Sequence, residues 1–166
     1  MNDAPALAYI ALGANLGDPQ AMVQNAIAAL NALPDTRLIR ASSLYRTEPV
    51  GLKRQPDFIN AVAAIRTKLS PQDLLCALQN LEATHGRVRS IPNAPRTLDL
   101  DILLYADQTL HTLALTLPHP RMHLRAFVLA PLNEIAPDLQ IPGRGSMAAW
   151  LPAVAGQRIL RLPVTA

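Results

Sequence analysis

The sequence predicts an α+β fold, with elements in the order β-α-β-β-α-β and a C-terminal extension. Three observations carry this expectation. Two stretches place apolar residues at helical spacing behind side chains that cap helices. Runs that alternate, or are wholly apolar, flank them as strands. Proline and glycine mark the joints, with 15 Pro and 7 Gly in 166 residues, where average usage gives about 8 and 12.

Ala8 to Leu12 reads as a short buried strand, broken by Gly13, Asn15 and Gly17. Asp18 then caps a helix with Pro19 at its first position. Val23, Ala26, Ile27, Leu30 and Leu33 form its apolar stripe, and Pro34-Asp35 ends it. Arg37 to Tyr45 is rich in strand-compatible residues, and Thr47 to Gln55, with Pro49 and Gly51, is a loop. In the strand Phe58 to Thr67, Ile59, Ala61, Ala63 and Ile65 face one way and Phe58, Asn60 and Val62 the other. On so apolar a strand Asn60 needs a hydrogen-bond partner, which a main-chain group inside the fold would supply.

Ser70-Pro71-Gln72-Asp73 starts the second helix with a cap, a first-turn proline and an acid. Leu74, Leu75, Leu78 and Leu81 form its stripe, Cys76 among them reads as core, and Gly86 is its stop. Gln79 and Glu82, three apart, face one way from its second half. Arg87 to Pro95 is a basic loop, Leu98 to Tyr105 a strand, Asp107-Gln108 a turn and Leu113 to Leu117 a further strand. Pro131 limits any helix between Arg125 and Ile135. Ser146 to Val154 reads as a last helix and Arg158 to Leu162 as a last strand. The first six elements make the ferredoxin-like arrangement, an antiparallel sheet with flanking helices, in a single domain over residues 1–166.

Composition excludes several classes of function. Apolar residues are 50% and charged residues 16%, enough to bury a core and too apolar for a disordered chain. The one cysteine excludes an internal disulfide and a Cys-based zinc site, and it fits a reducing compartment. No apolar run approaches the roughly 18 residues of a membrane span, and Met1 to Leu12 has no basic residue of the kind that opens a signal peptide. A cytoplasmic protein with no membrane partner is expected. The net charge is +3, and Lys53 and Lys68 are the only lysines among 15 basic residues. The Arg excess suits planar recognition of phosphate or carboxylate, although genome base composition produces the same bias. A sheet that reads RNA needs exposed aromatics. At 4% aromatic residues, no nucleic-acid partner is expected.

The most informative stretch is Pro95-Arg96-Thr97-Leu98-Asp99-Leu100-Asp101-Ile102. On a strand, Leu98, Leu100, Ile102 and Leu104 face the core while Asp99 and Asp101 face the other way, with Cα atoms about 6.6 Å apart. Two adjacent carboxylates repel unless a cation lies between them, and such a pair suits Mg²⁺ with substrate phosphates. An exposed polar strand face is the alternative, and the residues alone leave both open. Arg87, Arg89 and Arg96 precede the pair, and His119, Arg121, His123 and Arg125 follow it. Arg side chains beside Mg²⁺ would neutralise a polyphosphate. Neither a Walker-type loop nor Gly-x-Gly-x-x-Gly is present. His119 and His123 are four apart, but Pro120 lies between them and no third zinc ligand is obvious. Trp150 reads as packing.

Several blocks resemble one family: Tyr9 to Gly13, Asn15-Leu16-Gly17, Tyr45 to Gly51, Gln55 to Ala61, Gly86 to Arg89, Pro95 to Asp101, and Pro118 to His123 through Arg125, Phe127 and Pro131-Leu132. The family is 6-hydroxymethyl-7,8-dihydropterin pyrophosphokinase of folate biosynthesis. The resemblance runs in order from about residue 8 to about 142. It implies transfer of pyrophosphate from the co-substrate ATP to the hydroxymethyl group of a reduced pterin, with release of AMP. It implies two Mg²⁺ ions at Asp99 and Asp101, with Arg87 and Arg96 as catalytic stabilisers of the transferring charge. Gln79, Arg89, Ile102, Thr116, His119 and Arg125 would hold ATP, with Glu82 a lesser candidate. Phe58 and Phe127 would sandwich the pterin, while Asn60 and the main chain of Thr47, Glu48, Pro49 and Val50 read its edge. On this reading the partner of Asn60 is substrate. The chain departs from the family in placing Asn93-Ala94 where many members have Trp-Gly, and Ala114 where some have a basic residue. A monomer is expected.

Overall fold

The computed structural model describes residues 4–48, 56–85 and 98–163. In chain order it has β1 (Ala6–Ala14), α1 (Pro19–Leu30), β2 (Thr36–Ala41), β3 (Tyr45–Thr47), β4 (Phe58–Thr67), α2 (Pro71–Thr84) and β5 (Asp99–Tyr105). Two short strands follow, β6 (Leu110–His111) and β7 (Thr116–Leu117), then α3 (Ala126–Ile135). The chain closes with β8 (Gln140–Ile141), β9 (Gly145–Ser146), α4 (Leu151–Val154) and β10 (Ile159–Arg161). The main sheet has the order β10-β3-β4-β1-β5, with β2 also paired to β4. Its pairings are antiparallel, so the expected α+β architecture stands.

The caps read from sequence are present. Asp18 accepts from the Ala21 N–H at 3.1 Å, and Ser70 from the Asp73 N–H at 3.1 Å. The expected single strand Arg37 to Tyr45 is two, β2 and β3. At the break, the buried Ser42 hydroxyl accepts from the Val62 N–H at 2.9 Å and so occupies a place in the ladder that a strand residue would hold.

One face of the sheet, carrying Ile10, Leu12, Ile59, Ala61, Ala63, Ile65, Leu100 and Ile102, packs on α1 and α2 through Val23, Ala26, Leu30, Leu74 and Leu78. The other face, carrying Tyr9, Val62 and Ala64, is covered by Val128, Leu129, Leu132 and Ile135 of α3 and by Met147 and Val154. Thus the C-terminal extension builds a second core. Four further expectations change. Leu104 joins this second core, because the β1–β5 register shifts between Tyr9 and Ile10 and turns the strand's last residues over. Pro131 sits inside α3, where burial of the helix's apolar residues outweighs one lost main-chain hydrogen bond. Cys76 is exposed, since it stands about 200° around the helix from both Leu74 and Leu78. The predicted strand Leu113 to Leu117 is reduced to β7. Gly86 lies outside the described residues. Among the described residues, no helix is long and apolar enough to cross a membrane.

Candidate active site

The second sheet face turns polar toward the C-terminal end of β1. Gly13 lies between Asn60 of β4 and Asp99 of β5, and Ala11 lies between Val62 and Asp101. Tyr45 of β3 follows Asn60 on its far side. A row of side chains from Asp99 to Asn60 therefore crosses three strands, about 10 Å at the usual strand spacing. Asp99 and Asp101 share this face, both half-buried. The described residues contain no group of three or more metal-ligating side chains. A pair of carboxylates fits Mg²⁺, which keeps its other positions for phosphate and water.

Asn60 is buried, and its Oδ1 accepts from the Thr47 hydroxyl at 2.7 Å. Its partner within the fold is thus a side chain, and the amide is oriented with Nδ2 as its donor end. The approach to Gly13 is close, since a Cβ there would stand 3.0 Å from Asn60 Nδ2. Thr47 pairs with Phe58 on one side and Ile159 on the other. Its main chain belongs to the ladder, and its hydroxyl is what it brings to Asn60.

The loop after β7 returns along the edge of β5, where the His119 N–H donates to Leu103 O at 2.9 Å. His119 Nδ1 accepts from the Arg121 N–H at 3.1 Å, which puts the ring proton on Nε2. Burial, then Arg125, Arg121 and Arg144, push the His119 pKa down to about 4, against the opposing pull of Asp99. The ring is a neutral donor at neutral pH. Because its folded pKa lies below its unfolded value, the stability it adds is complete above the unfolded value. That stability is lost as pH falls from there through about 4. Ring-proton NMR of the protein without nucleotide or metal should show no His119 titration between about pH 5 and 8, whereas a midpoint at the ordinary imidazole value would contradict this geometry.

Arg125 stands at the N-cap of α3, its guanidinium 5.4 Å from the centroid of the Phe127 ring. Burial lowers its pKa, Asp101 and Asp99 raise it, and Arg121 lowers it. Asp99, Asp101, His119, Arg121 and Arg125 therefore lie within electrostatic reach of one another. From α2, the buried Glu82 accepts from the Leu100 N–H at 3.0 Å and fixes β5 from its outer edge.

The model of the family 7,8-dihydro-6-hydroxymethylpterin-pyrophosphokinase matches residues 9–137. A Pseudomonas aeruginosa 2-amino-4-hydroxy-6-hydroxymethyldihydropteridine pyrophosphokinase is 48% identical over 155 residues, 93% of this chain and 96% of that one. The chain belongs to this family. A Bacillus subtilis protein of the same name is 43% identical over 134 residues, covering 81% of this chain and 80% of that one. A crystal structure of wild-type Plasmodium falciparum HPPK-DHPS with pteroate aligns with a TM-score of 0.71 at 13% identity, over 92% of this chain and 43% of that one. At that identity the likeness is one of fold, and this chain spans less than half of that longer protein.

The pyrophosphokinase blocks fall on the site unevenly. Asp99, Asp101, Asn60, Thr47 and Phe58 lie on one sheet face, with His119, Arg125 and Phe127 on the segment that leads into and opens α3. Phe58 and Phe127 are both half-buried. Gln79 is exposed on α2 while Glu82, about 60° around the helix from it, is buried against β5. The Ile102 side chain is in the first core, and only its main chain is available. That main chain has the parity of Leu100, whose N–H points to the outer edge of β5. Thr116 is half-buried opposite His111, and Glu48 is exposed in a 3.2 Å ion pair with Arg158. Arg87, Arg89, Arg96, Pro49 and Val50 lie outside the described residues, as do Asn93 and Ala94. The Thr47 hydroxyl and the bare Cα of Gly13 were not anticipated. The pairing of a glycine with a buried amide across two strands leaves no mark in sequence spacing.

Proposed function

We propose that this chain transfers pyrophosphate from ATP to the hydroxymethyl group of 6-hydroxymethyl-7,8-dihydropterin and releases AMP, as a Mg²⁺-dependent enzyme of folate biosynthesis. Family membership supports the reaction, and one observation carries the site: the Asp99–Asp101 pair and Asn60 share one polar sheet face on either side of β1. Held by Asp99 and Asp101, two Mg²⁺ ions would supply Lewis-acid neutralisation of the phosphate oxygens. His119 donates from Nε2 and Arg125 brings fixed positive charge, so both suit the triphosphate. Gln79, Thr116, the Ile102 main chain and Arg89 would complete the ATP contacts. Arg87 and Arg96 would neutralise charge that builds on the transferring group. Asn60 Nδ2 reads the pterin edge, Phe58 and Phe127 stack on its faces, and Glu48 to Val50 close the remaining edge with main-chain groups.

No described side chain stands out as a general base, so the rate comes from alignment and electrostatics. The chain acts as a cytoplasmic monomer and a single domain. AMP formation should require the pterin and Mg²⁺ together and stop when a chelator is added. AMP formed without the pterin, or in the presence of excess chelator, would overturn the proposal. Thr47→Val removes the hydroxyl that orients Asn60 and should raise KM for the pterin about fivefold, one neutral hydrogen bond's worth. KM for ATP should stay unchanged. A rise in both would mean that Thr47 acts on the fold alone.

A further inference from the structure

The C-terminal extension reaches the site through a residue that the family blocks do not include. β8 and β9 form a hairpin whose turn is Pro142-Gly143-Arg144, with Ile141 opposite Gly145. Gly143 and Gly145 have φ of 77° and 78°, a left-handed conformation that side chains resist, so Arg144 stands at the tip between two residues that permit the turn. From there its Nη1 donates to His119 O at 2.9 Å and its Nη2 to Pro120 O at 3.4 Å.

The tip is itself held. The Arg144 N–H donates to Ile141 O at 2.9 Å, and Trp150 Nε1 donates to Arg144 O at 3.1 Å. The Trp150 ring meets His123 edge-on, with centroids 4.7 Å apart. His123 lies in the single 3-10 turn Met122–Leu124 that follows the His119 segment. The contacts thus close a ring: His119 to Arg144, Arg144 to Trp150, Trp150 to His123, and back along the chain to His119. On its other side, His119 is fixed by Leu103 O and the Arg121 N–H.

We infer that Arg144 is a positioning residue for ATP, acting through His119: its guanidinium holds the His119 and Pro120 carbonyls so that the imidazole is presented to the nucleotide in one orientation. This rests on the reading of His119 as an ATP contact. A charged donor on a main-chain carbonyl orders a loop more firmly than a neutral one. A loop ordered before binding spends less of its binding energy on being ordered.

The test compares His119→Ala, Arg144→Ala, Arg144→Lys and the double variant His119→Ala/Arg144→Ala, by steady-state AMP formation and thermal melting. Arg144→Ala should raise KM for ATP about 5–20-fold, less than the full worth of a charge-assisted hydrogen bond because the effect passes through His119. KM for the pterin should stay within about twofold on the same reasoning, because its contacts lie elsewhere. Arg144→Lys keeps one charged donor and should recover part of the loss. The double variant should be no worse toward ATP than His119→Ala alone. A normal KM for ATP in Arg144→Ala beside a raised one in His119→Ala would overturn the inference and leave the role of His119 standing. Multiplying effects in the double variant, or equal rises in both KM values with a lowered melting temperature, would also overturn it. A silent His119→Ala would remove the reading on which it rests, and the inference with it.

Discussion

Asp101→Ala is expected to lower turnover about 10²–10³-fold, the range for deleting one electrostatic stabiliser of a transition state. The reason is positional. Asp99 and Asp101 are alternate residues of β5, opposite Gly13 and Ala11 of β1, so both carboxylates project from one face. Either alone would leave Mg²⁺ on one protein ligand. Asp101 is half-buried, so truncation should leave the fold intact. Asp101→Asn, which keeps the shape and loses the charge, should fall nearly as far. The loss should appear in kcat at saturating ATP, with a raised Mg²⁺ requirement. Near-normal turnover at ordinary Mg²⁺ would remove the metal assignment.

Glu134→Ala should cost about 3 kcal/mol of stability, since the partners it strands are partly buried donors. This corresponds to a fall of roughly 6–12 °C in melting temperature for a domain of this size. Glu134, on α3, accepts from Tyr45 OH at 2.7 Å, from Ser43 N–H at 3.0 Å and from Ser43 Oγ at 2.9 Å. Arg161 of β10 adds a 3.1 Å ion pair, but its side chain is 57% exposed, so that contact contributes little. The carboxylate pins β3, and with it Thr47, to the helix that opens with Arg125 and Phe127.

Burial alone would raise the Glu134 pKa, but the hydrogen bonds from Tyr45 and Ser43, together with Arg161, bring it below the ordinary carboxyl range. A depressed folded pKa contributes stability above the unfolded value, and that stability is lost as pH falls through the folded one. Glu134→Ala should therefore flatten the acid side of the stability profile. A melting temperature within a degree or two of the parent's would contradict this account.

Much of this was legible in the chain. The caps at Asp18 and Ser70, the two-faced strand Phe58 to Thr67 and the Asp pair on β5 all follow from short-range chemistry, and short-range chemistry survives folding. What could not be read depended on partners distant in sequence. Leu104 changes faces because of a register shift against Tyr9, which no local pattern encodes. Pro131 sits within a helix because α3 buries one side against a sheet assembled from elsewhere. Asn60 did have a partner in the fold, but it was the hydroxyl of Thr47, 13 residues earlier. Arg144 sits in an ordinary Pro-Gly turn, and only the fold places that turn against His119.

The most direct test of the whole account is mass spectrometry of the products formed from ATP and 6-hydroxymethyl-7,8-dihydropterin with Mg²⁺. The account predicts AMP together with a pterin that has gained two phosphoryl groups in one transfer. ADP with a monophosphorylated pterin, or pyrophosphate with an adenylylated one, would contradict it.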